Sequence, residues 1–138
     1  VRTAPRRKIL HFLQSPLGRK MKKALEKKVL YREQAFVIGK EAHEIMDNTD
    51  SRQMVLIQGI MDGLFPDEED PETMILMDYK TDRVKDGEEL WERYKTQMDY
   101  YEEAIRKTWP VKQVKTMLYS FHLEEIVECE HGRMTNIP

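Results

Sequence analysis

The stretch Met74-Ile75-Leu76-Met77-Asp78-Tyr79-Lys80-Thr81-Asp82 limits what this chain can fold into more than any other. Four consecutive apolar residues run into Asp78, the pattern of a buried strand. Side chains alternate along a strand, so Asp78 and Lys80 point to the same face at its end. Burying charge is costly unless the charge is paired or holds a metal. Sixteen residues before Asp78 stands Asp62, the single acid in the apolar run Ile57-Gln58-Gly59-Ile60-Met61-Asp62-Gly63-Leu64-Phe65. Between the two runs lies Pro66-Asp67-Glu68-Glu69-Asp70-Pro71-Glu72, whose polarity and two prolines read as a turn. Residues 54–65 and 73–81 are therefore expected to form a hairpin. Folding it on that turn brings Asp62 toward Asp78, so that two acids and a lysine share one site.

A chain of 138 residues is expected to be one domain with one real core. Its net charge of −2 is less informative than the distribution. Residues 1–40 hold twelve Lys/Arg against two acids, and residues 41–138 hold eleven against twenty-three. A basic end beside an acidic body is compatible with an anionic partner for the first and a metal site in the second; a solvated helix face beside an acidic surface accounts for the charge equally well. The lone Cys129 excludes an intramolecular disulfide framework and fits a reducing compartment. No segment is long and apolar enough to span a membrane, and no signal-peptide pattern opens the chain. The chain opens at Val1 and is expected to be a piece of something longer.

Taken in order, Ile9, Leu10, Phe12 and Leu13 predict a short helix ending before Ser15-Pro16, a helix cap followed by proline at the first helical position. Leu17, Met21, Leu25 and Val29 recur every four residues among Arg19, Lys20, Lys22, Lys23, Lys27 and Lys28, which predicts an amphipathic basic helix. Its lysines can face DNA or merely solubilise the surface. Tyr31 to Ile38 reads as a strand carrying Glu33, an auxiliary acid of the site or a salt-bridged edge glutamate. Gly39 to Gln53 reads as a loop or short helix containing His43. Asp86-Gly87-Glu88-Glu89 has the form of a capping box. The helix it opens should run to about Lys107, before Trp109-Pro110. At about 100° per residue, Leu90, Trp91, Tyr94, Met98, Tyr101, Ala104 and Ile105 share one arc. Gln97 falls inside that arc and, if buried, must bond either to a backbone carbonyl or to a substrate. Val114 to Phe121 is the last clear strand, and residues 124–138 are expected to add an edge strand and a tail. The sum is an α+β domain with a central mixed sheet.

Two carboxylates beside a lysine suit metal-assisted phosphodiester hydrolysis. Aspartate oxygens are hard ligands of the kind Mg²⁺ and Mn²⁺ prefer. A bound cation polarises the phosphoryl group and acidifies a water, and a neighbouring lysine can orient that water. With Gln97 and Tyr101 on the following helix, the motifs Gly59-Ile60-Met61-Asp62, Met77-Asp78-Tyr79-Lys80-Thr81-Asp82 and Tyr94-X-X-Gln97-Met98-X-X-Tyr101 form one pattern. That pattern resembles the RecB-like branch of the PD-(D/E)XK nuclease superfamily, and within it the nuclease domains of the AddA (RexA) family of helicase–nuclease subunits. Gln14-Ser15-Pro16-Leu17-Gly18, Tyr31-Arg32-Glu33 and Leu118-Tyr119-Ser120-Phe121 look like segments of that family too, so the resemblance covers most of residues 8–123.

The resemblance implies a restriction-endonuclease-like fold over residues 1–138, with N-terminal helices in residues 1–30 and the nuclease core in residues 31–123. It implies Asp62 and Asp78 as metal ligands with the Tyr79 carbonyl as a further one, Lys80 as the catalytic lysine, and Gln97 and Tyr101 as residues that touch DNA or organise the carboxylates. Lys22 and Lys23 are expected at the nucleic acid. The implied reaction is Mg²⁺-dependent cleavage of DNA, with Mn²⁺ as a substitute, mainly on single strands and exonucleolytic, leaving a 5′-phosphate. The implied setting is the bacterial cytoplasm, in a helicase–nuclease whose longer chain binds ATP and pairs with a second, AddB-like (RexB-like) subunit for double-strand-break repair and recombination. The family pattern also includes a Gly-X-X-X-His helix whose histidine is a metal ligand. We expect that helix upstream of this chain, since His11 lacks the glycine context. The competing class is a nuclease-like fold that only binds a partner protein or DNA. Phosphate-cradling ATPase chemistry is excluded for these residues, which contain no Gly-X-X-X-X-Gly-Lys-Ser/Thr loop.

Overall fold

The computed structural model describes residues 6–130 and 133–137. In chain order it holds α1 (Arg6–Gln14), α2 (Pro16–Glu26), β1 (Tyr31–Glu41), α3 (Ala42–Ile45), β2 (Met54–Pro66), β3 (Thr73–Lys80), α4 (Gly87–Thr108), β4 (Gln113–Ser120), β5 (Glu125–Glu130) and β6 (Arg133–Ile137). Among the described residues the strands form one six-stranded sheet in sequential order from β1 to β6. Every neighbouring pair is antiparallel except β3 and β4, which run parallel. Parallel neighbours need a long crossover, and α4 supplies it. This is the expected α+β architecture with a mixed sheet flanked by helices, consistent with a restriction-endonuclease-like fold.

Helices cover both faces of the sheet. Leu90, Met98, Tyr101 and Ile105 of α4 pack with Met61, Leu76, Leu118 and Val127 on one face. Phe12 of α1 and Leu17 and Ala24 of α2 pack with Phe65, Ile75, Met77 and Tyr119 on the other. That double cover explains why β3 reads as a continuous apolar run instead of an alternating one: every residue from Thr73 to Asp78 is buried. Each fully buried leucine or isoleucine of this layer contributes roughly 1.5–3 kcal/mol over leaving it in water.

The local signals have direct counterparts. Ser15 caps α2 by accepting the Gly18 amide at 3.1 Å, with Pro16 at the first helical position. Asp86 caps α4 by accepting the Glu89 amide at 2.9 Å, although the Glu89 carboxylate turns to Arg93 at 3.2 Å instead of closing the box. Three expectations are corrected. The buried stripe of α2 is Leu17 and Ala24, whereas Leu25 is half exposed and Val29 lies beyond the helix. The helix stops because Lys28 takes φ 61° and the Lys28 and Val29 amides close back on Leu25 and Ala24, a left-handed C-terminal cap. The described residues beyond Glu124 form two strands and not one: β6 is the edge strand, and β5 lies inside the sheet with Ile126 and Val127 buried. Gln97 is exposed, not buried within the apolar arc of α4.

Candidate active site

The site arises where two strands part. β2 and β3 pair as a hairpin through Gly63–Met77, Leu64–Leu76, Phe65–Ile75 and Pro66–Met74. One step further the same register sets Asp62 opposite Asp78, but the ladder ends there. The Asp62 carboxylate instead accepts the Tyr79 backbone N–H at 2.8 Å, taking the place a strand carbonyl would have had. Beyond this point β2 continues with β1 as a two-stranded ribbon, paired from Gln34–Met61 to Glu41–Met54. Glu33, exposed on the edge strand at the step opposite Asp62, takes φ 50°. The N–H and C=O of one strand residue point to the same edge. The Tyr79 carbonyl therefore faces the edge that β2 has left, beside Asp62.

The ribbon is tied to α4 by aromatic packing. Phe36 meets the Tyr101 ring edge-on with centroids 4.8 Å apart, and the Tyr101 hydroxyl donates to the Ile60 carbonyl at 3.1 Å. A β-carbon on Gly59 would lie 2.4 Å from the Phe36 ring and 3.1 Å from that of Tyr101, so only glycine lets both rings rest on the strand. Tyr101 is 3% exposed. The residue holds the backbone beside Asp62, its hydroxyl turned to the Ile60 carbonyl.

Asp78 and Lys80 share the α4 face, as the period of two requires, and both are buried. The Lys80 ammonium lies 2.8 Å from Asp78 Oδ2, donates to Gln97 Oε1 at 3.2 Å, and sits 3.7 Å from the centroid of the Tyr94 ring. Gln97 is thus exposed at the rim with its carbonyl turned inward. Burial pushes the Asp78 carboxyl up to about 7; the neighbouring Asp62 carboxylate adds to this and Lys80 opposes it. Two acids pressed together, one of them driven toward its neutral form, are a cluster that a cation relieves. Their oxygens and the Tyr79 carbonyl are the hard donors that fit Mg²⁺ or Mn²⁺. Among the described residues no group of three or more His, Cys, Asp or Glu side chains converges on one point. His11 bonds to the Tyr119 hydroxyl at 2.9 Å on the α1 side of the sheet, and His43, within α3, pairs with Glu41 at that helix's N-cap.

Two residues near the lysine escape a reading of the sequence. Tyr94 stands out there only in the apolar arc and as the opening residue of the helix motif, and Asp82 only as the close of a motif. In the fold the Tyr94 hydroxyl donates to both Asp82 carboxylate oxygens, at 2.9 and 2.8 Å, and Arg93 reaches the same carboxylate at 3.3 Å. Burial raises the Asp82 pKa, but these hydrogen bonds outweigh it and hold the carboxyl below its usual range. The available signal is the spacing: Tyr94 lies one helical turn before Gln97, and Asp82 two residues past Lys80.

Lys22 and Lys23 are not brought to this site. Helix α2 covers the opposite face, where Met21 accepts from the Tyr79 hydroxyl at 3.4 Å. Its lysines turn to the β2–β3 connection: Lys20 to Asp67 at 3.8 Å, Lys23 and Lys27 to Glu68 at 3.6 and 3.3 Å.

No protein-family model matches the chain. Curated relatives do. A protein of Clostridium botulinum (strain Alaska E43 / Type E3) is 39% identical over 122 residues, which is 86% of this chain and 10% of the relative. One of Alkaliphilus oremlandii is 36% identical over 123 residues, again 86% and 10%. One of Clostridium beijerinckii is 36% identical over 127 residues, 88% and 10%. All three are named as the A subunit of an ATP-dependent helicase/nuclease. This chain is a homologue of one segment of those proteins. It spans about a tenth of the length of the relatives it matches. The similarity agrees with the resemblance to helicase–nuclease subunits drawn from the motifs. Among the described residues no helix is long and apolar enough to cross a membrane.

Proposed function

We propose that the chain is a divalent-metal-dependent DNA nuclease that hydrolyses phosphodiester bonds, mainly in single strands and exonucleolytically. In this reading it is the nuclease part of an ATP-dependent helicase–nuclease acting in bacterial DNA repair and recombination with a second subunit. The observation that carries it is the buried Asp78–Lys80 pair set against Asp62 where β2 leaves β3. A buried ion pair is a poor device for stability alone, and this one lies beside a second carboxylate that a cation would satisfy. Asp62, Asp78 and the Tyr79 carbonyl would hold Mg²⁺ or Mn²⁺. When bound, the cation lowers the pKa of a water and offsets charge on the phosphoryl group.

The residues of the chain supply the rest. Lys80 orients the attacking water and steadies charge on the phosphoryl oxygens. Gln97 fixes the lysine from the rim and is the exposed group able to touch the strand being cut. Tyr101 keeps the Asp62 segment in place from behind. Water adds to phosphorus, the bond to the 3′ oxygen breaks, and the products are a 5′-phosphate and a 3′-hydroxyl.

The test is a divalent-metal-dependent assay on end-labelled single-stranded DNA. Asp78→Ala should abolish cleavage and weaken Mn²⁺ binding. Lys80→Ala should abolish cleavage while leaving Mn²⁺ affinity within about threefold, because ammonium is not a ligand. Near-normal turnover by Lys80→Ala would end the water-positioning role. A second reading, a module that binds DNA or a partner without cutting, is favoured by the convergence of only two metal-ligating side chains among the described residues. DNA binding without metal-dependent product at any Mg²⁺ or Mn²⁺ concentration, by this chain and by one extended upstream to include a histidine ligand, would establish it.

A further inference from the structure

An ammonium has three N–H donors and no acceptor. Those of Lys80 face three groups: the Asp78 carboxylate at 2.8 Å, the Gln97 carbonyl at 3.2 Å and the face of the Tyr94 ring at 3.7 Å from its centroid. They differ in how firmly each is held. Asp78 is the carboxylate that a cation would claim, and Gln97 is an exposed amide on a flexible stem. The Tyr94 ring is half-buried on α4, packed against the core, and its hydroxyl is tied to both oxygens of Asp82. Arg93 clamps Asp82 in turn, and Glu89 holds Arg93 one turn up the helix. Phe121 takes the Lys80 carbonyl at 2.9 Å and pins the backbone.

Resting on the nuclease reading, we propose that Tyr94 is the positioning residue of Lys80. Its ring fixes the ammonium over the carboxylates by a cation–π contact, and Asp82 acts through the Tyr94 hydroxyl by fixing the ring. A cation over an aromatic face away from water is attracted strongly enough to hold a side chain in one rotamer. Tyr94 touches neither substrate nor metal in this account. Its effect passes entirely through the lysine, and the ring contributes more than the hydroxyl.

The experiment uses the full 138-residue chain and two readouts. The first is the rate of acetylation of Lys80 by acetic anhydride, followed by mass spectrometry of the peptide that contains it. Lys80 is 1% exposed, so the native chain should protect it. Tyr94→Leu, which keeps a bulky apolar side chain for folding, should acetylate at least tenfold faster. Tyr94→Phe, which keeps the ring, should stay within threefold of the native rate. The second readout is cleavage of a labelled oligonucleotide. Tyr94→Leu should lower kcat at least thirtyfold with KM within twofold, whereas Tyr94→Phe should lose less than tenfold. Asp82→Ala should cost about as much as Tyr94→Phe and add nothing in the Tyr94→Phe background. Continued protection of Lys80 in Tyr94→Leu, or a loss in Tyr94→Phe equal to that in Tyr94→Leu, would overturn the proposal. Absence of cleavage both by the native chain and by a chain extended upstream to include a histidine ligand, with any divalent metal, would instead remove the nuclease reading, and the acetylation ratio would still accept or reject the ring as the lysine's clamp.

Discussion

Replacing Asp78 by asparagine should change how stability depends on pH, and the sign can be worked from the site. In the metal-free fold the Asp78 carboxyl titrates at about 7, raised from an ordinary 3.8 by burial and by Asp62. Between these two values the folded chain holds a proton that the unfolded chain has released. Stability therefore falls as pH rises through that window, with no Asp78 slope below about 3.8 or above about 7. At about 1.4 kcal/mol per pKa unit, a shift of roughly three units corresponds to about 4 kcal/mol as a ceiling, reached in full above neutrality. An asparagine side chain cannot titrate. In urea melts with chelator present, native chain and Asp78→Asn should diverge steadily, the native chain losing on the order of 2–4 kcal/mol more between pH 4 and pH 8. Comparing slopes removes any constant cost of leaving Lys80 without its ion pair. Saturating Mn²⁺ should restore the native chain at pH 8 by mass action and leave Asp78→Asn nearly unmoved. Parallel pH profiles for the two chains would refute the burial argument and the strained carboxylate pair with it.

Tyr101→Phe keeps the ring but leaves the Ile60 carbonyl without the hydroxyl, and should cost about 1–2 kcal/mol in thermal melts with little change in DNA affinity. Lys28→Gly removes the left-handed strain at the end of α2 and should stabilise the chain by about 0.5–1 kcal/mol, read as a higher urea midpoint at an unchanged m-value. Reversing Lys22 and Lys23 to glutamate would remove about two units of the log–log salt slope of DNA binding if both met phosphates. We expect a loss below one unit, because α2 lies across the sheet from Lys80 and Lys23 is engaged with Glu68. The 138 residues should bind Mn²⁺ weakly in calorimetry, and a chain extended upstream to include a histidine ligand should bind it at least tenfold more tightly, since Mn²⁺ accepts imidazole nitrogen better than Mg²⁺ does.

Local chemistry makes much of this protein legible without its fold. The cap at Ser15, the cap at Asp86 and the end of α4 before Trp109-Pro110 depend on hydrogen bonds within a few residues, so spacing alone fixes them. The shared face of Asp78 and Lys80 follows from strand geometry, and the hairpin that brings Asp62 back follows from the turn between its strands. Other features require partners distant in the chain. Val29 looks like one more turn of helix until Lys28 adopts a left-handed conformation. Gln97 and Tyr101 sit four residues apart on one helix, yet one is exposed and the other buried: the β1–β2 ribbon packs on Tyr101, while Gln97 reaches Lys80 from the rim. The basic helix carries no record of which face of the sheet it will cover. That choice places Lys22 and Lys23 away from Lys80. The ring beneath the lysine is hidden for the same reason: Tyr94 belongs to an apolar periodicity, and periodicity reports which side of a helix is buried, not what lies against it.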